Sequence, residues 1–356
     1  LLEARRPILV LGSSTAAHAQ AARALAEALE LPVFAIDRTQ LNELPYPVAD
    51  PRYLGQYGEQ RSLIADADCV AVIGARAFFP FSAEGAVTVP DGAKLIHASA
   101  DAAQIGWSTV PYLGLSGDPR PVLDDLSAGV AAAGGLPAQA RAERIARLED
   151  LRTQYRAANA ADRKRHDQLA HDAGAVSLTA LTDALSATLP PDSLVFDEAV
   201  SSSRPLLRHT AFPAGSRVLR TNGGALGWAL PAAVGAKIAC PERAVVAVVG
   251  DGSFNFSPQA LWTAARENAP IVTIVVDNSG YLAVKLAIER HLGVAESPER
   301  HPGTELAGLD HATVARGYGA DALHVDEPAK LQPAIAAALK SPRSTVIVIP
   351  VANARR

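Results

Sequence analysis

Two β-branched runs constrain this chain more than anything else in it: AVVAVV (Ala244–Val249) and IVTIVV (Ile271–Val276). Neither alternates apolar with polar, so a strand made from either is buried on both faces. That is the pattern of central strands in a parallel sheet covered by helices. The intervening stretch Gln259–Glu267 reads as a helix, with Ser257 as its N-cap and Pro258 in its first turn. The two strands run into Gly250-Asp251-Gly252 and Asp277-Asn278-Ser279-Gly280. Asp251 and Asn278 therefore sit at the carboxyl ends of neighbouring parallel strands, where open α/β sheets bind ligands.

The same alternation runs through the rest of the chain. Strands are expected at Ile8–Gly12, Pro32–Ile36, Cys69–Gly74 and Lys94–Ser99, with a helix over Ala16–Glu30. The pattern stops near Asp125, and Ala131–Ala138 is a turn-rich break. Arg141–His171 is charged with few large apolar residues, a solvated helical connector. A second unit starts near Val176, with strands expected at Ser193–Glu198, Arg217–Thr221 and Ser344–Val351. The fold class is α/β: two doubly wound parallel-sheet domains, residues 1–130 and 173–356, joined by a helical linker over 131–172. The GSS turn after the first strand lacks GxGxxG, so dinucleotide binding there is a weak reading.

Lys plus Arg is 33 and Asp plus Glu is 37, a net charge of −4. That balance gives no electrostatic reason to expect nucleic acid or an anionic membrane as a partner. No apolar run approaches the roughly 18 residues of a membrane span. Two cysteines, Cys69 and Cys240, build no disulfide framework, so a cytoplasmic setting is expected. The nine histidines show no metal-ligand spacing; His301, His311 and His324 are expected to be core or surface residues. Trp107, Trp228 and Trp262 are expected to pack rather than to stack on bases.

The strand-end loops suit a hard cation on a diphosphate. Mg²⁺ takes a few protein oxygens and completes its octahedron with phosphate and water. Asp251 offers a carboxylate, Asn278 an amide oxygen and Gly280 a carbonyl, which makes these three the candidate metal ligands. Gly250 and Gly252 lack a Cβ and let backbone approach phosphate closely, and Ser253 can donate a hydrogen bond.

GDG, then 24 residues, then DN resembles the GDG…NN cofactor motif of thiamine diphosphate (ThDP) enzymes. The first Asn of that motif is Asp277 here; the second, metal-binding one is retained as Asn278. Further matches extend the resemblance over nearly the whole chain, toward the 2-oxo acid decarboxylase and acetolactate synthase branch and closest to benzoylformate decarboxylases. Thr221–Ala239 resembles the glycine-rich turn of those enzymes. By that resemblance Leu226 wedges beneath the cofactor and the Gly224 carbonyl accepts from its aminopyrimidine. Alternatively, these glycines serve tight packing. Asp197–Arg204 resembles the segment contacting the diphosphate, with the Val200 backbone and Ser201 as candidates, although Ser201–Ser203 could simply cap a helix. Tyr281 belongs to the same cofactor loop. Ala283, Val284 and Ala287 correspond to substrate-lining positions, or serve helix packing. Lys94–Leu126 resembles the end of the family's central, Rossmann-like domain, which holds FAD in some members; no residue here demands it.

The resemblance implies a ThDP- and Mg²⁺-dependent decarboxylase of a small 2-oxo acid. Acetolactate synthase-like carboligation is the alternative, and a noncatalytic cofactor-binding fragment is a third reading. It also implies a homodimer or homotetramer with the cofactor site at a subunit interface. Tyr46–Gly55 resembles a family segment with His before Pro. Here Asp50 precedes Pro51, placing a carboxylate at a substrate-pocket position and casting doubt on His-assisted steps. In the family an amino-terminal pyrimidine-binding domain supplies an activating Glu. Leu1–Pro7 resembles the approach to the central domain, so this chain is expected to lack that domain and to be inactive alone.

Overall fold

The computed structural model describes residues 1–36, 41–78, 89–221, 224–292 and 302–352, without the side chain of residue 290. The chain divides into two units, Leu1–Asn159 and Ala160–Arg356. The boundary falls inside one 36-residue helix, Ala138–Ala173.

The first unit holds β1 (Pro7–Leu11), β2 (Val33–Ala35), β3 (Tyr53–Gln56), β4 (Cys69–Ile73), β5 (Lys94–Ser99) and β6 (Leu113–Ser116). They pair in parallel in the order β3-β2-β1-β4-β5-β6. The expected helix over Ala16–Glu30 is a 3-10 turn, Ser13–His18, followed by an α-helix over Ala19–Leu29. The strand order reverses between β1 and β4, and the loops there are stitched to each other. Ser14 Oγ donates to the Gly74 carbonyl at 2.7 Å, and a Cβ on Gly12 would lie 2.1 Å from that carbonyl oxygen. This crossing is closed by the protein's own atoms. Arg144 is buried and donates to the carbonyls of Leu1, Leu2, Ala4 and Leu29, which ties the start of the chain to the unit.

The second unit holds β7 (Leu194–Glu198), β8 (Arg217–Arg220), β9 (Val245–Gly250), β10 (Val272–Asp277), β11 (Asp321–His324) and β12 (Thr345–Pro350). Their order is β11-β12-β10-β9-β7-β8, again parallel throughout. The β-branched runs become β9 and β10 at its centre, buried along nearly their whole length. The chain leaves β7 for β8 on one side and returns to β9 on the other. A crevice therefore opens past the carboxyl ends of β7 and β9.

Several expectations need correction. Strands β3, β6 and β11 were not anticipated. The helix between β9 and β10 spans Ala260–Arg266 with Gln259 at its N-cap; Ser257 makes no cap bond and its hydroxyl is buried without a partner. Trp107 and Trp262 are exposed, lying beneath the guanidinium groups of Arg76 and Arg266, and only Trp228 packs, against Phe196. The histidines follow expectation, His324 at the surface and His311 in the core, while His301 lies outside the described residues.

Within the second unit, Asp162 is ringed by Arg165 at 2.7 Å, His209 at 2.9 Å, and His166 and Arg208 at 3.8 Å. Burial favours its neutral form, but His209, Arg208, His166 and Arg165 together hold its pKa below the usual carboxylate range. A depressed pKa contributes stability above the unfolded value and loses it as pH falls toward the folded value. Asp162→Asn should cost about 2–4 kcal/mol at pH 7. That penalty should shrink as pH drops below about 4. Urea unfolding of both proteins across pH checks it; a penalty that does not vary with pH contradicts the ion-pair account.

Candidate functional site

The crevice is framed by two consecutive carboxylates at the end of β7. Neighbouring strand residues point to opposite faces, so each needs its own partners. Asp197 is buried and accepts from Arg220 Nε at 2.7 Å, from the Ser203 hydroxyl at 2.8 Å and from the Ala199 N–H at 3.0 Å. It fixes β7 to β8 and shapes the turn that follows. Glu198 accepts from the Gly227 N–H at 2.5 Å and the Ala229 N–H at 2.6 Å. It fixes the end of the glycine-rich turn and the start of the helix Ala229–Ala239. Burial pushes Glu198 above the ordinary carboxylate range, against the pull of those backbone donors.

Next along the chain, Val200 adopts φ = +50°. A β-branched residue is rarely found there, and such backbone persists only where the surroundings impose it. Across the crevice Ser279 has φ = +58°, with its N–H donating to Asp277 Oδ1 at 2.8 Å. This turn aims the Gly280 N–H at Asp251 Oδ2, 2.8 Å away. A short antiparallel strap lies along the same loop: Tyr281 N–H donates to the Thr304 carbonyl at 2.8 Å and Leu306 N–H to the Ser279 carbonyl at 3.0 Å. The buried Lys285 latches the strap through an ion pair with Glu305 at 2.6 Å.

One cavity is lined by Val200, Ser201, Leu226, Gly250, Asp251, Gly252 and Ser253 from one group of loops, and by Asn278, Gly280, Tyr281, Ala283 and Val284 from the other. All of these were singled out in the sequence. Ala199 and Leu282 complete the lining and were not. Gly224, at φ = +67°, precedes Leu226 by two residues; its neighbours 222 and 223 lie outside the described residues. Ala287 is exposed one helical turn beyond Ala283 but does not line the cavity. Packing also requires Gly252 to be small: a Cβ there would lie 2.6 Å from the Tyr281 ring.

Asp50 requires a correction. Its side chain is buried within the first unit, 2% exposed, where Arg23 lies at 3.1 Å and the Arg52 N–H donates to it at 2.9 Å. It closes a turn and is not offered to a substrate. Sequence reasoning also missed Asp197 and Glu198 as organisers, although two adjacent acids ending an apolar strand signal buried charge needing partners.

The donor set fits a hard cation. Asn278 Oδ1 is buried and has no hydrogen-bond partner. A buried orphan acceptor is a defect unless something electropositive binds it. Asp251 shares that cavity, and burial, with the nearby Asp277 charge adding to it, pushes its pKa up to about 6. A divalent ion would reverse that shift. The Gly280 carbonyl already accepts from Leu282 N–H at 3.0 Å and keeps one lone pair free. Among the described residues no three His, Cys, Asp or Glu side chains cluster to hold a metal. A cation here would therefore rely on one carboxylate, an amide oxygen, and ligand or water oxygens, which suits Mg²⁺.

Residues 201–349 match "Thiamine pyrophosphate enzyme, C-terminal TPP binding domain", and residues 1–126 match "Thiamine pyrophosphate enzyme, central domain". A benzoylformate decarboxylase of Pseudomonas aeruginosa is 29% identical over 357 residues, covering 98% of this chain and 62% of that protein. A putative acetolactate synthase large subunit of Mycobacterium tuberculosis is 29% identical over 181 residues, covering 50% of this chain and 35% of that protein. Among solved structures, a thiamine diphosphate-dependent 4-hydroxybenzoylformate decarboxylase of Rhodococcus jostii superposes with a TM-score of 0.80 at 23% identity. It covers all of this chain and 63% of its own, and establishes the shared fold. The chain thus spans less than two thirds of the length of these relatives.

The contact between Gly252 and Tyr281 generates a test. Gly252→Ala forces its Cβ into the Tyr281 ring and should destabilise the protein by about 1–3 kcal/mol. Adding Tyr281→Ala should recover most of that loss, read by denaturant unfolding. Strictly additive losses would contradict the contact.

Proposed function

Because the chain belongs to the thiamine pyrophosphate enzyme family, with its central and C-terminal domains, we propose that it serves ThDP- and Mg²⁺-dependent decarboxylation of a small 2-oxo acid, as benzoylformate decarboxylases do. The observation that carries this reading is the unpartnered Asn278 Oδ1 in the same cavity as the buried Asp251 carboxylate. Asp251, Asn278 and the Gly280 carbonyl would hold Mg²⁺. The Val200 backbone and Ser201 would orient the diphosphate from the β7 side. Leu226 and the Gly224 carbonyl would fix the cofactor's bend. Bound thiamine diphosphate supplies an electron sink for the charge left behind when CO₂ departs. Ala283 and Val284, which line the cavity, would leave room there for a bulky 2-oxo acid side chain, with Ala287 one turn further along the helix.

Acetolactate synthase-like carboligation is the second reading, favoured by the similarity to the putative acetolactate synthase large subunit. Under either reading the working assembly is a homodimer or homotetramer with the cofactor at a subunit interface. The exposed apolar groups beside the cavity support this: Val284 lines it, and Phe256 packs on Gly227 next to Leu226. Sedimentation of the full-length protein should then give a dimer or tetramer; a monomer at assay concentration contradicts the shared site.

Full-length protein incubated with aromatic and aliphatic 2-oxo acids should release CO₂ only with ThDP and a divalent ion present. Product analysis separates simple decarboxylation from carboligation. Asp251→Ala should weaken Mg²⁺-dependent ThDP binding by on the order of 100-fold in calorimetry. Unchanged affinity in that variant, or with chelator, removes the metal assignment. Leu226→Ala should lower turnover about tenfold with little loss of affinity, since it acts by holding geometry. An equal loss of affinity would assign Leu226 to binding alone.

A further inference from the structure

Behind the metal loop lies a second carboxylate, Asp277, whose Oδ1 closes the turn before Gly280. That oxygen accepts from Ser279 N–H, while Oδ2 points toward the helix His311–Gly317. Asp277 also lies beside Asp251 across the loop, close enough for the two carboxyl groups to interact by a side-chain hydrogen bond as well as by charge. An asparagine at 277 could make the same turn-closing bond without that charge, so the carboxylate needs an answer from its surroundings.

His311 stands in the position to give one. It is 1% exposed; neither ring nitrogen completes a hydrogen bond, and the ring's polar neighbours are Asp277 and the Asp251 backbone. Its ring packs edge-on against Phe254, 5.6 Å between centroids, directly after the Gly250–Gly252 turn. An imidazole buried with neither nitrogen satisfied is costly. Its Nδ1 lies 3.7 Å from Asp277 Oδ2. Roughly 0.7 Å of side-chain movement turns that contact into a hydrogen bond.

We propose that Asp277 and His311 form a coupled positioning pair beneath the metal loop. The imidazole N–H answers the Asp277 carboxylate, so that Asp251 and Asn278 are presented to the cation without a competing unpaired charge beside them. Neither residue touches the ligand in this assignment; both act through Asp251 and the turn at 277–280. The inference rests on the metal-site reading given above.

A double-mutant cycle on the full-length protein tests it, read by calorimetric affinity for ThDP at fixed Mg²⁺ and by thermal unfolding without cofactor. His311→Phe keeps the packing on Phe254 and removes the N–H. It should weaken ThDP affinity about tenfold when residue 277 is Asp. Asp277→Asn should change affinity little alone, and the Asp277→Asn/His311→Phe double variant should stay within about threefold of the wild type. His311→Gln, which retains an N–H donor, should keep most of the affinity. A His311→Phe loss of the same size in both backgrounds, or no loss in either, overturns the pair. Should the wild-type protein bind no ThDP with Mg²⁺, the metal-site reading fails, and the proposed positioning role fails with it. The unfolding cycle then still decides whether the two side chains are coupled at all.

Discussion

Everything at the candidate site depends on where two adjacent carboxylates are placed. Asp197 and Glu198 end β7 at the point where the strand order reverses, and both are buried. A buried carboxylate is tolerated only when hydrogen bonds or opposite charge replace its lost water. Asp197 meets that demand with Arg220 of β8 and with Ser203, Glu198 with backbone donors of the glycine-rich turn and the helix behind it. The crevice wall is thereby assembled from three separate stretches of chain by two side chains. The unusual Val200 backbone lies directly after them, held by what they fix.

The opposite wall follows the same logic with fewer charges. Asp277 closes a turn that sends Ser279 to positive φ and the Gly280 N–H to Asp251, and the strap at Thr304–Leu306 covers the loop's outer edge. Asn278 Oδ1, which shares the cavity with Asp251, is left without a partner. Asp197 and Glu198 each have two or more donors, so the unpartnered Asn278 Oδ1 on the cavity wall is the observation on which the proposed cation rests. The family match names thiamine pyrophosphate, and the proposed cation would sit on its diphosphate.

Much of this was legible in the sequence, and the reasons are physical. Strands β9 and β10 could be read because burial on both faces demands unbroken β-branched runs, and their ends placed Asp251 and Asn278 on one edge. Strands β3, β6 and β11 could not. They are short edge strands, and β6 is largely exposed with a glycine in its middle, so no apolar pattern marks it. Asp50 was misread because an acid before proline looks the same in sequence whether it faces a pocket or, as here, an arginine inside the fold. Ser257 was misread because a Ser-Pro pair suits a cap only if the helix starts beside it, and this one starts at Ala260. The coupling of residues 277 and 311 spans 34 positions and two elements, a juxtaposition that only the fold makes.

The most direct test is to grow crystals of the full-length protein with ThDP and Mn²⁺ in place of Mg²⁺ and to locate the metal by its anomalous scattering. The account predicts one strong peak in the crevice past β9 and β10, coordinated by the Asp251 carboxylate and Asn278 Oδ1, with the diphosphate on its far side. A cofactor bound elsewhere, or a metal there that leaves Asn278 Oδ1 uncoordinated, would contradict it.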